Sequence, residues 1–104
     1  MTENLARCLL IAKVLVADGM MTDDERTFLE AMMAAAGLDA DERRRVVELE
    51  GWPEAERLFS ALSVEKRRIL VEQLVDAASA DGRLSAHELA AIRQVAGELG
   101  VPGM

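Results

Sequence analysis

Ala17-Asp18-Gly19-Met20-Met21-Thr22-Asp23-Asp24-Glu25 and Ala80-Asp81-Gly82-Arg83-Leu84-Ser85-Ala86-His87-Glu88 obey one pattern, A-D-G-x-[LM]-[ST]-x-x-E, offset by 63 residues. The correspondence continues at the same offset. Leu29 falls on Ile92, Met32 on Val95, Gly37 on Gly100 and Leu38 on Val101, while upstream Ile11 falls on Leu74 and Val14 on Ala77. Agreement of that length predicts two copies of one supersecondary unit. The units cover about residues 5–38 and 68–101, and two short helices link them within a single domain, 1–104. In each copy the glycine suits the left-handed residue that closes a helix, and the hydroxyl with the glutamate forms a capping box that opens the next. A helix, a tight corner and a second helix, used twice, define the fold.

The punctuation between the copies extends this to six helices. The first is expected from about Glu3 to Asp18, apolar on nearly every face and therefore central. The second opens at Thr22 and buries Phe28, Leu29, Met32, Met33 and Ala36 before Gly37. Asp39 with Glu42 repeats the cap for a third helix, which carries Val46, Val47 and Leu49 as far as Gly51. Trp52-Pro53 suits a first helical turn, and Ala55, Leu58, Phe59 and Leu62 give the fourth helix its buried side. Ser63 caps a fifth, with Ile69, Leu70, Leu74, Val75 and Ala78, ending at Ala80-Asp81-Gly82. Ser85 with Glu88 caps the sixth, with Leu89, Ile92, Val95, Ala96 and Leu99 before Gly100. No strand-like alternation occurs, so the expected class is all-α, a compact bundle of about six helices with an internal pseudo-repeat.

Composition limits the function. Aromatic residues are 3% of the 104 and tyrosine is absent, so the core must be aliphatic, which suits close-packed helices. A net charge of −7 argues against a nucleic-acid or anionic-membrane surface. The single cysteine precludes an internal disulfide and favours a cytoplasmic protein. The apolar run Leu9–Ala17 contains Lys13 and is too short to span a bilayer, so no membrane insertion is expected.

The repeated corner has two accounts. As architecture, it ends one helix and caps the next, each cap contributing on the order of 1 kcal/mol. That account leaves Asp18 and Asp81 under-explained, since a carboxylate at a helix C-terminus opposes the dipole. As chemistry, Asp18-to-Glu25 and Asp81-to-Glu88 match the second half of a calcium loop, D-G-x-[LI]-x-x-x-E. The two oxygen-bearing positions a full loop needs upstream are Val14 and Val16 in one copy, Ala77 and Ser79 in the other, which excludes a standard EF-hand. A divalent-cation site, calcium or magnesium, built from Asp18, Glu25, Asp81 and Glu88 with Asp23 and Asp24 as accessories, stays open. The two copies would share it if the corners face each other.

On these residues the chain resembles the tellurite-resistance TerB family and the related N-terminal domain of DjlA-type membrane co-chaperones. The paired A-D-G-x-Φ-[ST]-x-x-E corners, each followed by about a dozen helical residues and then G-[LV], carry the resemblance over roughly Leu9–Leu38 and Glu72–Val101. It implies a compact helical fold, an intracellular role, association with tellurite or other stress systems or with protein assemblies, and acidic clusters suspected of binding divalent metal. By position those clusters are Asp18, Glu25, Asp81 and Glu88.

Enzymatic chemistry finds little support in the residues. His87 sits early in a capped helix and is expected on the surface, and Cys8 on an apolar helix is expected in the core. One histidine and one cysteine cannot build a zinc site of those ligands. Leu84 stands three residues before His87, so the Glu-x-x-His pairs of di-iron bundles are absent. The basic triplets Arg43-Arg44-Arg45 and Lys66-Arg67-Arg68 wind around their helices and are expected to pair locally, as Asp41 with Arg45. The expected function is a non-catalytic module acting through protein–protein interaction, with the acidic corners as a cation site. The partner is unidentified and a homo-oligomer is open. A calcium-type sensor or buffer is the alternative, and a carboxylate–metal enzyme a distant third.

Overall fold

A computed structural model describes residues 1–17, 19–80, 82 and 84–101. Among them the chain forms six helices, α1 (Glu3–Leu15), α2 (Asp23–Ala35), α3 (Ala40–Val47), α4 (Trp52–Ser60), α5 (Val64–Ala78) and α6 (Ala86–Glu98), and no strand.

Local signals set these boundaries. Thr22, Asp39 and Ser85 each accept a hydrogen bond from the backbone N–H three residues on, while Glu25, Glu42 and Glu88 reach back to the cap's own N–H. All three expected capping boxes are formed. Ser63 caps α5 through the Lys66 N–H at 3.2 Å, and Thr2 caps α1 through Leu5.

The helix ends refine the expectation. α1 stops at Leu15 instead of running to Asp18, because the N–H groups of Ala17 and Gly19 bond to the carbonyls of Val14 and Val16 and tighten the chain into turns. α5 ends the same way, with Ala80 bonded to Ala77 and Gly82 to Ser79. The two corners thus share a backbone pattern as well as letters. α2 and α6 end in Schellman motifs: Leu38 bonds back to Met33 and Gly37 to Ala34, as Val101 does to Ala96 and Gly100 to Gly97. This explains G-[LV]. Glycine takes the left-handed residue (φ +70° and +67°), and the buried Leu38 or Val101 seals the end against the core. α3 uses the same closure with no glycine, Leu49 adopting φ 56° while Glu50 bonds to Arg45, so it ends at Val47, short of Gly51.

α1 is central, as its apolar faces require. It packs against all five other helices, and Leu9, Leu10, Ile11, Val14 and Leu15 are fully buried. α5 lies beside it, adding Leu70, Leu74, Ala77 and Ala78. The second helix of each copy packs on both of these helices, α2 on α1 and also α5, α6 on α5 and also α1. That shared packing interlocks the copies. Two expected core residues differ. Val47 is 70% exposed and Ile69 43% exposed, because the flank of α3 and the outer face of α5 have no helix over them.

Candidate functional site

Glu25 and Glu88 occupy the third helical position of α2 and α6, where a capping box places the side chain along its own helix end. Each spends one oxygen locally. Glu25 Oε1 accepts from Thr22 N–H at 2.9 Å, and Glu88 Oε1 accepts from Ser85 N–H at 3.3 Å. The other oxygen, Oε2, is buried and without a hydrogen-bond donor in both residues. At 1% and 3% exposure these are two of the three buried polar or charged side chains among the described residues. Both caps would work equally well on the surface, so burial needs another reason.

The reason is their mutual position. Burial, then the adjacent carboxyl of Glu25, push the Glu88 carboxyl up to about 7, against the opposing hydrogen bonds from Ser85. Two acceptors lie together in a desolvated space, where a shared proton, a bridging water or a cation would satisfy both. The corners of the two copies therefore meet at these glutamates. Asp18 and Asp81, the other expected ligands, lie outside the described residues. Asp23 and Asp24 are exposed in the first turn of α2. Among the described residues no three His, Cys, Asp or Glu side chains form a group able to hold a metal. The two donors that do converge are carboxylates, and oxygen is the ligand type that hard cations prefer.

A second, partly buried charge pair was not anticipated from the sequence. Lys13, in the otherwise apolar stretch 8–15 of α1, lies against α4, its Nζ 3.3 Å from Glu56 Oε1 and 3.6 Å from the centroid of the Trp52 ring. Burial lowers its pKa, opposed by the charge of Glu98. A lone lysine in an apolar run was the available signal, with Glu56 four residues after Trp52 on the facing helix. The arrangement pins α4 to α1.

The basic triplets behave as expected and add a structural role. Arg45 pairs with Asp41 at 3.3 Å, and Arg44 bridges Asp41, Glu48 and Glu50. Arg43 and Arg67 each donate to a carbonyl at a helix end, Leu38 O at 3.1 Å and Leu99 O at 2.6 Å. His87 is exposed. Cys8 is 1% exposed, with burial raising its thiol to about 11, so it is unreactive at neutral pH.

No helix among the described residues is long and apolar enough to cross a membrane. A search of the curated proteins and of the solved structures finds no match to this chain. The sequence model of the family described as Tellurite resistance protein TerB matches residues 4–103, nearly the whole chain. Together with the all-helical architecture and the paired corners, that match establishes that the chain belongs to the TerB family.

Proposed function

We propose that this protein is a non-catalytic interaction module whose two acidic corners jointly hold one divalent cation, calcium or magnesium. The supporting observation is the meeting of Glu25 and Glu88 with both Oε2 atoms buried and donorless. Capping alone requires one oxygen from each glutamate and no burial. A cation between the copies would neutralise the pair and tie α2 to α6, fixing the surface these helices present. Asp18 and Asp81, each seven residues before its glutamate, would complete the ligand set. The non-catalytic part rests on two side chains: the one histidine is exposed and the one cysteine is buried. The family description makes tellurite or another stress response the expected setting.

A thermal melt of chelated protein, repeated with excess calcium, magnesium, manganese and zinc in turn, tests the site. A ligand at a hundred times its dissociation constant stabilises by roughly 2.7 kcal/mol. The expected result is a selective upward shift with calcium or magnesium that disappears in Asp18→Asn plus Asp81→Asn. Identical melting in all metals would reduce the corners to helix caps.

A further inference from the structure

Beside the first corner lies an open groove of about 410 Å³. Its floor is Ala12 of α1, Leu29 and Met33 of α2 and Val46 of α3, all buried in the core. Met21, Val47 and Leu49 border it, and Arg26 and Glu30 stand on its α2 side. The volume falls within the range of ordinary ligand sites, but the groove runs between two helices and opens to solvent at Val47, which is 70% exposed. Methionine supplies unbranched, polarizable side chains that adapt to varied apolar partners. A trough between helices with such walls suits the apolar face of another helix.

Charge says which kind of helix. Between residues 19 and 50 the chain carries nine acidic residues and four arginines, within a protein of net charge −7. Three of those arginines are committed: Arg43 to the Leu38 carbonyl, Arg44 to Asp41, Glu48 and Glu50, and Arg45 to Asp41. Exposed Asp23, Asp24 and Glu30 outnumber the exposed Arg26 on the α2 side. A net acidic surface around an apolar trough steers basic partners toward it and disfavours acidic ones. A second copy of this chain would bring its own negative charge to the same place.

We propose that the groove between α2 and α3 receives the apolar face of a basic amphipathic helix from a partner protein. The proposal rests on the interaction-module reading above and gives that module its surface and its class of partner. Gly19, Met20 and Met21 join the groove wall to the cation corner, being the residues between Asp18 and the Thr22 cap. A cation at the corner therefore fixes one wall of the groove, and by linkage a bound helix tightens the cation.

The probe is a fluorescent peptide of leucine and lysine patterned at helical spacing, titrated with the full chain in chelator and again with calcium. A leucine–glutamate peptide of the same pattern is the control. Val47→Asp adds negative charge at the groove, so docking there predicts weaker binding by about tenfold, whereas non-specific charge attraction predicts stronger binding. Ile69→Asp, on the outer face of α5, should leave binding at the wild-type level. Val47→Ser changes no charge and keeps the test readable should Asp at the helix end unfold the protein, which circular dichroism reports. Binding insensitive to both Val47 variants, or equally tight binding of the glutamate peptide, overturns the proposal. So does self-association, seen by light scattering, that Val47→Ser abolishes, since the occupant would then be a second copy. Val47-dependent binding with no metal-induced melting shift would remove the cation and keep the groove, while the reverse would remove only the groove.

Discussion

Glu25 and Glu88 are 63 residues apart, yet each caps its own helix with Oε1 and turns a donorless Oε2 into the space beside the other. The sequence repeat becomes a single structure at that point. α2 and α6 each pack on both α1 and α5, and the matching turns of the two copies meet at this pair. Two like charges in a desolvated space are costly, so the pair holds a proton or calls for a cation. Solution conditions that change either one should be visible in stability.

The first such condition is pH. The Glu88 carboxyl is raised from 4.5 to about 7 in the folded protein, chiefly by burial. A raised carboxyl keeps its proton in the folded state after the unfolded chain has lost its own. Its contribution to stability is thus fully present below pH 4.5 and is lost as pH rises to about 7. Metal-free protein should melt at progressively lower temperature across that window. Glu3, held low chiefly by its hydrogen bond to Lys66, has its effect at the acid side of the window and in the opposite direction. A melting curve series in chelator checks this, and Glu88→Gln should flatten the slope.

Replacing either glutamate by glutamine gives two effects of opposite sign. In Glu25→Gln the side-chain carbonyl can still accept from Thr22 N–H, while the new amide can donate to Glu88 Oε2. One buried charge disappears and one orphaned acceptor gains a donor, a change of about 1–3 kcal/mol. Metal-free Glu25→Gln should melt higher than wild type near neutral pH, by ~4–8 °C per kcal/mol for a domain of this size. The same variant should lose the calcium- or magnesium-induced shift. A variant that lowers metal-free stability while keeping the shift would contradict the assigned geometry.

Lys13 gives a prediction away from the corner. Removing its charge in Lys13→Met leaves Glu56, already carrying a buried donorless Oε2, without its cation. Breaking such a pair is expensive because the remaining carboxylate is desolvated, and at this partly exposed site the cost should be about 2–3 kcal/mol. Glu56→Gln in the same chain should restore much of it. Trp52 is the sole tryptophan and lies under Lys13, so its fluorescence should change in Lys13→Met before any unfolding.

What could be read from the letters is what acts over three or four residues. Thr22–Glu25, Asp39–Glu42 and Ser85–Glu88 identified their helix starts because each box closes on its own turn. Gly37 and Gly100 marked helix ends for the same reason. The end of α3 was less legible, since Leu49 takes a left-handed conformation with no glycine to announce it. The approach of Glu25 to Glu88 was readable only as a condition, that the corners face each other. It depends on how α2 and α6 cross the central pair, which no local pattern encodes. Lys13 was hidden because its partners lie on α4, and the exposure of Val47 because burial depends on which helix flank remains uncovered.

The last prediction uses the repeated caps against one another. Thr22→Ala and Asp39→Ala each remove one acceptor from a capping box, from Glu25 N–H at 3.2 Å and Glu42 N–H at 2.8 Å respectively. Each should lower stability by about 1 kcal/mol, because the lost bond is of the same kind. Their effects on cation binding should differ. The box at Thr22 holds the glutamate whose second oxygen turns to Glu88, whereas Glu42 lies on the partly exposed start of α3. A frayed first turn of α2 would let Glu25 swing away and shrink the cation-induced melting shift, while Asp39→Ala would leave that shift at the wild-type size. Equal losses of the shift in both variants would mean that the metal reports global stability and not the meeting of the corners.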